Sequence, residues 1–292
     1  MNQNQLSNPS NVQIINGTIF VADTYNHRIQ KLEPGATTPT TVAGGNGRGS
    51  AANQLHYPYG IQVVPNGNLY VVDYWNDRVQ LWTPGATEGI TVAGGNGRGE
   101  AANQLSNPEG IFVDSNGNLY ITDTDNHRIQ LWTPGATDGV TVAGGNGRGE
   151  AANQLNYPTG VQTTPEGIYV SDTNNHRIQL WTPGSTEGIT VAGGNGQGVA
   201  NNQLNGPNGF YVDGTDAIYI ADTNNNRIQL WTPGATEGYT VAGGNGAGSS
   251  LAELSSPYGV CVDSSGTIYI TLPDLNRIIK LVPGDTEGVI IF

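Results

Sequence analysis

Sulfur, positive charge and long apolar runs are all scarce in this chain of 292 residues. Its single cysteine, Cys261, excludes an internal disulfide and any zinc site built on several thiolates. Charged residues make up 12%, which excludes a disordered polyelectrolyte and a highly charged coiled coil. Basic residues are scarcest: 11 Lys and Arg face 24 Asp and Glu, for a net charge of −13. Such a chain lacks the basic footprint that neutralises phosphates, so no nucleic-acid partner is expected. Only Arg48, Arg98 and Arg148 form a local basic set. A basic membrane-surface patch is disfavoured for the same reason. No apolar run approaches the ~18 residues of a membrane span, so no membrane insertion is expected. The opening MNQNQLSNPSNVQIING has neither a charged nor an apolar signal region. Location stays open: extracellular if the chain is excised from an exported protein, cytoplasmic otherwise.

What the chain has in abundance is glycine, 43 residues, and the glycines recur. The string AGGNG begins at Ala43, Ala93, Ala143, Ala192 and Ala242. Pro-Gly recurs from Pro34, Pro84, Pro134, Pro183, Pro233 and Pro283. An Asp closes an apolar run at Asp23, Asp73, Asp123, Asp172 and Asp222, where the sixth copy has Leu272. An Arg follows at Arg28, Arg78, Arg128, Arg177, Arg227 and Arg277. The third copy reads as four strands: GIFVD (110–114), LYITD (119–123), RIQLW (128–132) and GVTVA (139–143). Ser115-Asn116-Gly117-Asn118 gives the first hairpin and Pro134-Gly135 ends the third strand. Helical periodicity is absent.

A four-stranded sheet with apolar residues on both faces cannot bury itself alone. Copies stacked face to face around an axis bury both faces of each sheet. The expected fold is therefore all-β, a six-bladed β-propeller of four-stranded antiparallel blades. One domain over 1–292 would hold blades at approximately 1–47, 48–97, 98–147, 148–196, 197–246 and 247–292. The chain opens on a first strand and closes on a fourth, so whole blades are expected to meet at the seam.

The stretch PxGIxVDxxGNLYVxDxxNHRIQLW resembles the NHL repeat. Its namesake triplet falls at Asn26-His27-Arg28, Asn126-His127-Arg128 and Asn175-His176-Arg177. Blades 2, 5 and 6 depart from it with Asn76-Asp77-Arg78, Asn225-Asn226-Arg227 and Leu275-Asn276-Arg277. The resemblance spans essentially the whole chain and implies the propeller fold. It leaves function open: the family includes protein- and RNA-binding propellers and a metal-dependent lyase acting on peptidylglycine derivatives.

Most recurrent polar residues read as scaffold. The Asp–Arg array recurs in five blades, whereas catalysis needs one site. His27, His127 and His176 occupy equivalent turns of different blades, too far apart to share a zinc ion. His56 lies in another loop with no evident partner histidine. Asp114, Asp213 and Asp263 suit Asx turns at the first hairpins. The AGGNG segments lack the helix and lysine of a phosphate cradle and suit glycine turns at positive φ. Trp82, Trp132, Trp181 and Trp231 suit packing between blades. No catalytic residue, resident metal or cofactor is expected, and the chain is expected to be a monomer.

The copies differ mainly in two loops that an up-and-down blade places on one face. One flanks the proline before the first strand; the other joins the second and third strands. Blade 2 is richest there, with His56, Tyr57, Tyr59, Tyr74 and Trp75, and Tyr25 of blade 1 is expected nearby. The remaining candidate ligand-binding residues are Glu109, Asp125, Asn174, Asn208 and Tyr258. Exposed aromatics with polar tips anchor proteins, peptides or glycans. The leading expectation is thus a non-enzymatic propeller that binds a protein, peptide or glycan through this face. A metal-dependent hydrolase or lyase with its site in the central channel is the alternative, and a repeat scaffold without a dedicated ligand is the third. A second variable position, Gln13, Gln62, Phe112, Gln162, Tyr211 and Cys261, is expected to tune the channel wall.

Overall fold

The computed structural model of the protein describes residues 5–248, 253–285 and 287–292. It has six four-stranded antiparallel sheets, each built from four consecutive strands paired in chain order. Blade 1 is representative, with strands Pro9–Ile15, Thr18–Asp23, Arg28–Leu32 and Thr40–Gly44. The six first strands line a central channel. The fourth strands form the rim, where Ile90, Val140, Ile189, Tyr239 and Val289 are exposed. Among the described residues, no sheet borrows a strand across the seam.

Packing follows from the alternation of apolar side chains. Val72, Val79 and Ala93 of blade 2 share one buried cluster with Ile111, Ile121 and Trp132 of blade 3. Equivalent clusters join blades 1 and 2, and blades 5 and 6. The tryptophan of the third strand is thus a wedge between blades; truncating Trp132 should remove about 3–5 kcal/mol of stability. At the seam, Leu6, Val12 and Val21 pack on Tyr269 and Ile278.

A one-turn 3-10 segment joins the second and third strands of every blade, and the residue after it is left-handed: His27, Asp77, His127, His176, Asn226 and Asn276. His, Asn and Asp tolerate that conformation better than most residues. Each also accepts a backbone N–H from the next blade. His27 Nδ1 takes it from Tyr57 at 3.2 Å, His127 Nδ1 from Tyr157 at 3.2 Å and His176 Nδ1 from Gly206 at 3.0 Å. Asp77 Oδ1 takes it from Asn107 and Asn226 Oδ1 from Ser256, both at 2.9 Å. Asn276 Oδ1 closes the ring onto the Asn8 N–H at 2.7 Å. The departures from the triplet therefore keep one acceptor in the same place.

The other two triplet positions brace the blade itself. Arg78 Nε donates to Asp73 Oδ2 at 2.8 Å, and its Nη2 reaches the Ala51 and Gln54 carbonyls at 3.1 and 3.2 Å. Asn76 donates to Asp73 Oδ2 at 2.8 Å and to the Gly49 carbonyl at 2.9 Å. The same Asp–Arg bond recurs at 2.6–2.8 Å in the first five blades, always with the carboxylate fully buried. The AGGNG loops fold on themselves: Asn46 donates to the Asn53 carbonyl and Gln54 to that of Asn46. Gly44 has φ of +67°, and a Cβ there would lie 2.5 Å from the His27 carbonyl oxygen. Only glycine fits.

Candidate functional site: an asymmetric channel mouth

The channel encloses about 240 Å³ and its wall is partly self-paired. The Gln62 side chain donates to the Val113 carbonyl at 3.2 Å and accepts its N–H at 2.7 Å. Gln162 does the same with Val212 at 2.7 and 2.9 Å, and Gln13 with Val63. Half of the variable wall positions are therefore amide bridges between blades. Phe112, Tyr211 and Cys261 line the rest. Burial pushes the Cys261 thiol up to about 12, which leaves it unreactive. Asp114, Asp213 and Asp263 turn to their own hairpins, accepting the N–H groups of Asn116, Thr215 and Ser265 at 2.8, 2.8 and 2.9 Å.

The residues after the loop proline are Ser10, Tyr59, Glu109, Thr159, Asn208 and Tyr258, and all of them but Asn208 line the channel mouth. Three of these tie back to the 3-10 turn of their own blade. Ser10 Oγ is 2.8 Å from Thr24 Oγ1, Thr159 Oγ1 is 2.7 Å from Thr173 Oγ1, and Asn208 Nδ2 is 2.9 Å from Thr223 Oγ1. Tyr59, Glu109 and Tyr258 do not. The Tyr258 hydroxyl donates to Glu109 Oε2, a bond from blade 6 to blade 3 that bars the mouth. Burial raises the Glu109 carboxyl to about 7, against the Tyr258 hydrogen bond, with Asp125 adding to the rise. Burial likewise raises Tyr59 well above its ordinary value and Tyr74 to about 12, with the Glu109 charge contributing to both.

From this bar a continuous row of rings runs outward. Tyr258 and Tyr59 have centroids 6.0 Å apart, Tyr59 and Tyr74 4.8 Å, and Tyr74 and Trp75 6.1 Å. Trp75 stacks on His56 at 5.8 Å, His56 on Tyr57 at 5.3 Å, and Tyr57 meets Tyr25 edge-on at 5.1 Å. Tyr25 and Trp75 are 53% and 54% exposed, so the outer part of the row faces solvent. Of the expected candidates, Tyr25, His56, Tyr57, Tyr59, Tyr74, Trp75, Glu109 and Tyr258 thus form one contact series. Asp125 borders it, paired with Arg98 and accepting from Asn107 at 2.8 Å. Asn174 is exposed in blade 4 and Asn208 is engaged with Thr223, both away from the row.

One expectation is corrected. His56 does have a histidine neighbour: its ring lies 5.9 Å from that of His27, because consecutive blades bring these two loops together. Burial lowers both imidazoles, and nearby Arg48 lowers them further.

Tyr74 also differs from four of its five counterparts in what it gives up, the blade 6 residue being Pro273. Thr24, Thr124, Thr173 and Thr223 donate from Oγ1 to the carbonyl of the next blade's proline, each at 2.8 Å. In blade 2 that threonine is Tyr74, whose ring goes to the mouth instead.

Ring closure, an inner-strand channel and a mouth whose residues vary from blade to blade define a closed β-propeller with an asymmetric face. NHL repeats match at residues 6–32, 105–131 and 204–230. The chain is a six-bladed β-propeller that carries NHL repeats at these three positions. No curated protein matches it. Among solved structures it is similar to an auxiliary nutrient binding protein from Bacteroides ovatus, with 16% identity, TM-score 0.67, and coverage of 96% of this chain and 70% of that one. It is also similar to a gluconolactonase from Xanthomonas campestris, with 13% identity, TM-score 0.67, and coverage of 92% and 84%. A chain of a nidogen/laminin complex aligns with 17% identity, TM-score 0.67, and coverage of 93% and 91%. At such identities these likenesses are of fold. Among the described residues, no helix is long and apolar enough to cross a membrane.

Proposed function

We propose that the protein is a non-enzymatic binding propeller that engages a protein, peptide or glycan through the loop face of blades 1 and 2 and the adjoining channel mouth. The observation that carries this reading is the exchange at Tyr74. Blade 2 forgoes an inter-blade hydrogen bond that four other blades make, and gains a ring that joins the mouth to the exposed aromatics. Seven rings in one contiguous row support the same reading. The nutrient-binding relative supports a binding role on this scaffold.

The test is a peptide and glycan array probed with the native protein and with a Tyr74→Ala/Trp75→Ala double variant. Loss of each hit by about tenfold or more is expected, as for aromatic hot spots. Hits that survive the double variant unchanged would remove the blade-2 face from the site.

A further inference from the structure

The mouth holds a carboxylate that the fold does not neutralise. Glu109 is partly buried, and among the described residues its carboxyl has one hydrogen-bond partner, the uncharged Tyr258 hydroxyl. The neighbouring cation, Arg98, has its guanidinium committed to Asp125 and to the Ser106 hydroxyl. The acidic groups nearby are Asp125 and Asp77, so charge around the mouth is net negative. Three tyrosine rings, Tyr59, Tyr74 and Tyr258, stand beside the carboxylate, linked at 4.8 and 6.0 Å. Tyrosine faces attract cations through the ring quadrupole, and a desolvated carboxylate strengthens that attraction.

Elsewhere in the molecule a buried carboxylate comes with its guanidinium. Asp23, Asp73, Asp123, Asp172 and Asp222 each hold an Arg at 2.6–2.8 Å. Glu109 is partly buried at the channel mouth with no guanidinium paired to it among the described residues, so a ligand can supply the cation there. Deepening the binding reading above and resting on it, we infer that the mouth recognises an organic ammonium: the side chain of a lysine in an extended peptide. The lysine stem lies against Tyr59 and Tyr74, its ammonium meets Glu109, and the peptide continues along the aromatic row toward Trp75 and Tyr25. A peptide fits better than a small amine because the row extends from the axis across two blades. The overall charge of −13 favours approach of a basic peptide.

The experiment uses a glycine-flanked lysine pentapeptide, the same peptide with norleucine in place of lysine, and choline. Binding is read by calorimetry at pH 6 and pH 8 on the full chain. The lysine peptide is expected to bind at least about tenfold tighter than the norleucine peptide at pH 8. Glu109 must be ionised and its carboxyl titrates at about 7, so this preference should shrink at pH 6. The tyrosines facing Glu109 do not share this dependence: Tyr59, Tyr74 and Tyr258 are all raised above their ordinary value. Glu109→Gln, nearly isosteric, should abolish the preference at both pH values while both peptides keep the weak uncharged component. Tyr258→Phe removes the hydrogen bond that lowers the Glu109 carboxyl, so the pH midpoint of binding should rise.

Equal affinity for lysine and norleucine, a preference that survives Glu109→Gln, or no binding of either peptide at about 1 mM would overturn the inference. Choline binding as tightly as the lysine peptide would overturn its peptide part. If the lysine preference is absent but array hits still depend on Tyr74 and Trp75, the ammonium inference falls and the binding face stands. If the Tyr74/Trp75 variant changes nothing, the face itself falls.

Discussion

Two carboxylate settings sit within one blade's width of each other and are built to opposite rules. The latch carboxylate, Asp123 in blade 3, is fully buried and saturated by Arg128 Nε at 2.7 Å, Asn126 Nδ2 at 2.9 Å and the Ser106 N–H at 2.7 Å. Glu109, in the same blade, has a tyrosine hydroxyl and no cation. The first setting appears in five blades and the second in one. Repetition marks the parts that hold the ring together; the Glu109 carboxylate, set among tyrosines over the axis, marks where the ring can meet something else.

The latch is where damage should be greatest. Asp123→Ala leaves Arg128 buried without its carboxylate, and breaking such a pair removes about 3–5 kcal/mol. Equilibrium urea unfolding should show this as a large fall in midpoint, whereas Asp125→Ala on the loop face should change stability by less than about 1 kcal/mol. Equal losses would erase the distinction.

The mouth should behave in the opposite sense. The Glu109 carboxyl is raised from its ordinary 4.5 to about 7 in the fold, so the folded protein holds that proton more tightly than the unfolded chain. Its contribution is present below pH 4.5 and is lost as pH rises through 7. Glu109→Gln carries no such dependence and should stabilise the protein by on the order of 1–3 kcal/mol at pH 8, with little gain at pH 4.5. Thermal melts at both pH values measure this; a variant less stable at pH 8 would show the carboxylate to be structurally satisfied.

The inter-blade histidines give the smallest and most distributed effect. Burial lowers the imidazoles of His27, His127 and His176, each of which must keep Nδ1 unprotonated to accept the next blade's N–H. A group lowered below its ordinary 6.5 contributes stability above that pH and loses it as pH falls through the folded value. His127→Asn, which supplies the acceptor that Asn226 supplies in blade 5, should flatten the acid limb by about 1 kcal/mol or less. An unchanged acid limb would contradict the staple role.

The sequence made the fold plain because each blade repeats its turn chemistry. AGGNG, Pro-Gly and the Asp–Arg spacing each mark one corner of a four-stranded sheet, and an apolar middle pair of strands needs a neighbour on both faces. The aromatic face was legible for a related reason: copies that agree almost everywhere make Tyr74 and Trp75 conspicuous. Contacts between non-adjacent blades were not. Tyr258 and Glu109 are 149 residues apart, and no local pattern signals that their side chains meet over the axis. The His27–His56 pair and the glutamine bridges depend on how one blade is set against the next, which spacing within a repeat does not encode. The shared role of His127, Asp77 and Asn226 is hidden in the same way, since only the left-handed turn shows that three different side chains present one acceptor.

Carbon-13 NMR of the Glu109 side-chain carboxyl, followed across pH with and without the lysine pentapeptide, tests the central claim most directly. The free protein should show a midpoint near 7, moving down by about one unit or more when the peptide binds, because an opposed ammonium favours the charged form. A midpoint near 4.5 in the free protein, or one that the peptide does not move, would mean that the mouth holds no unbalanced charge for a ligand to meet.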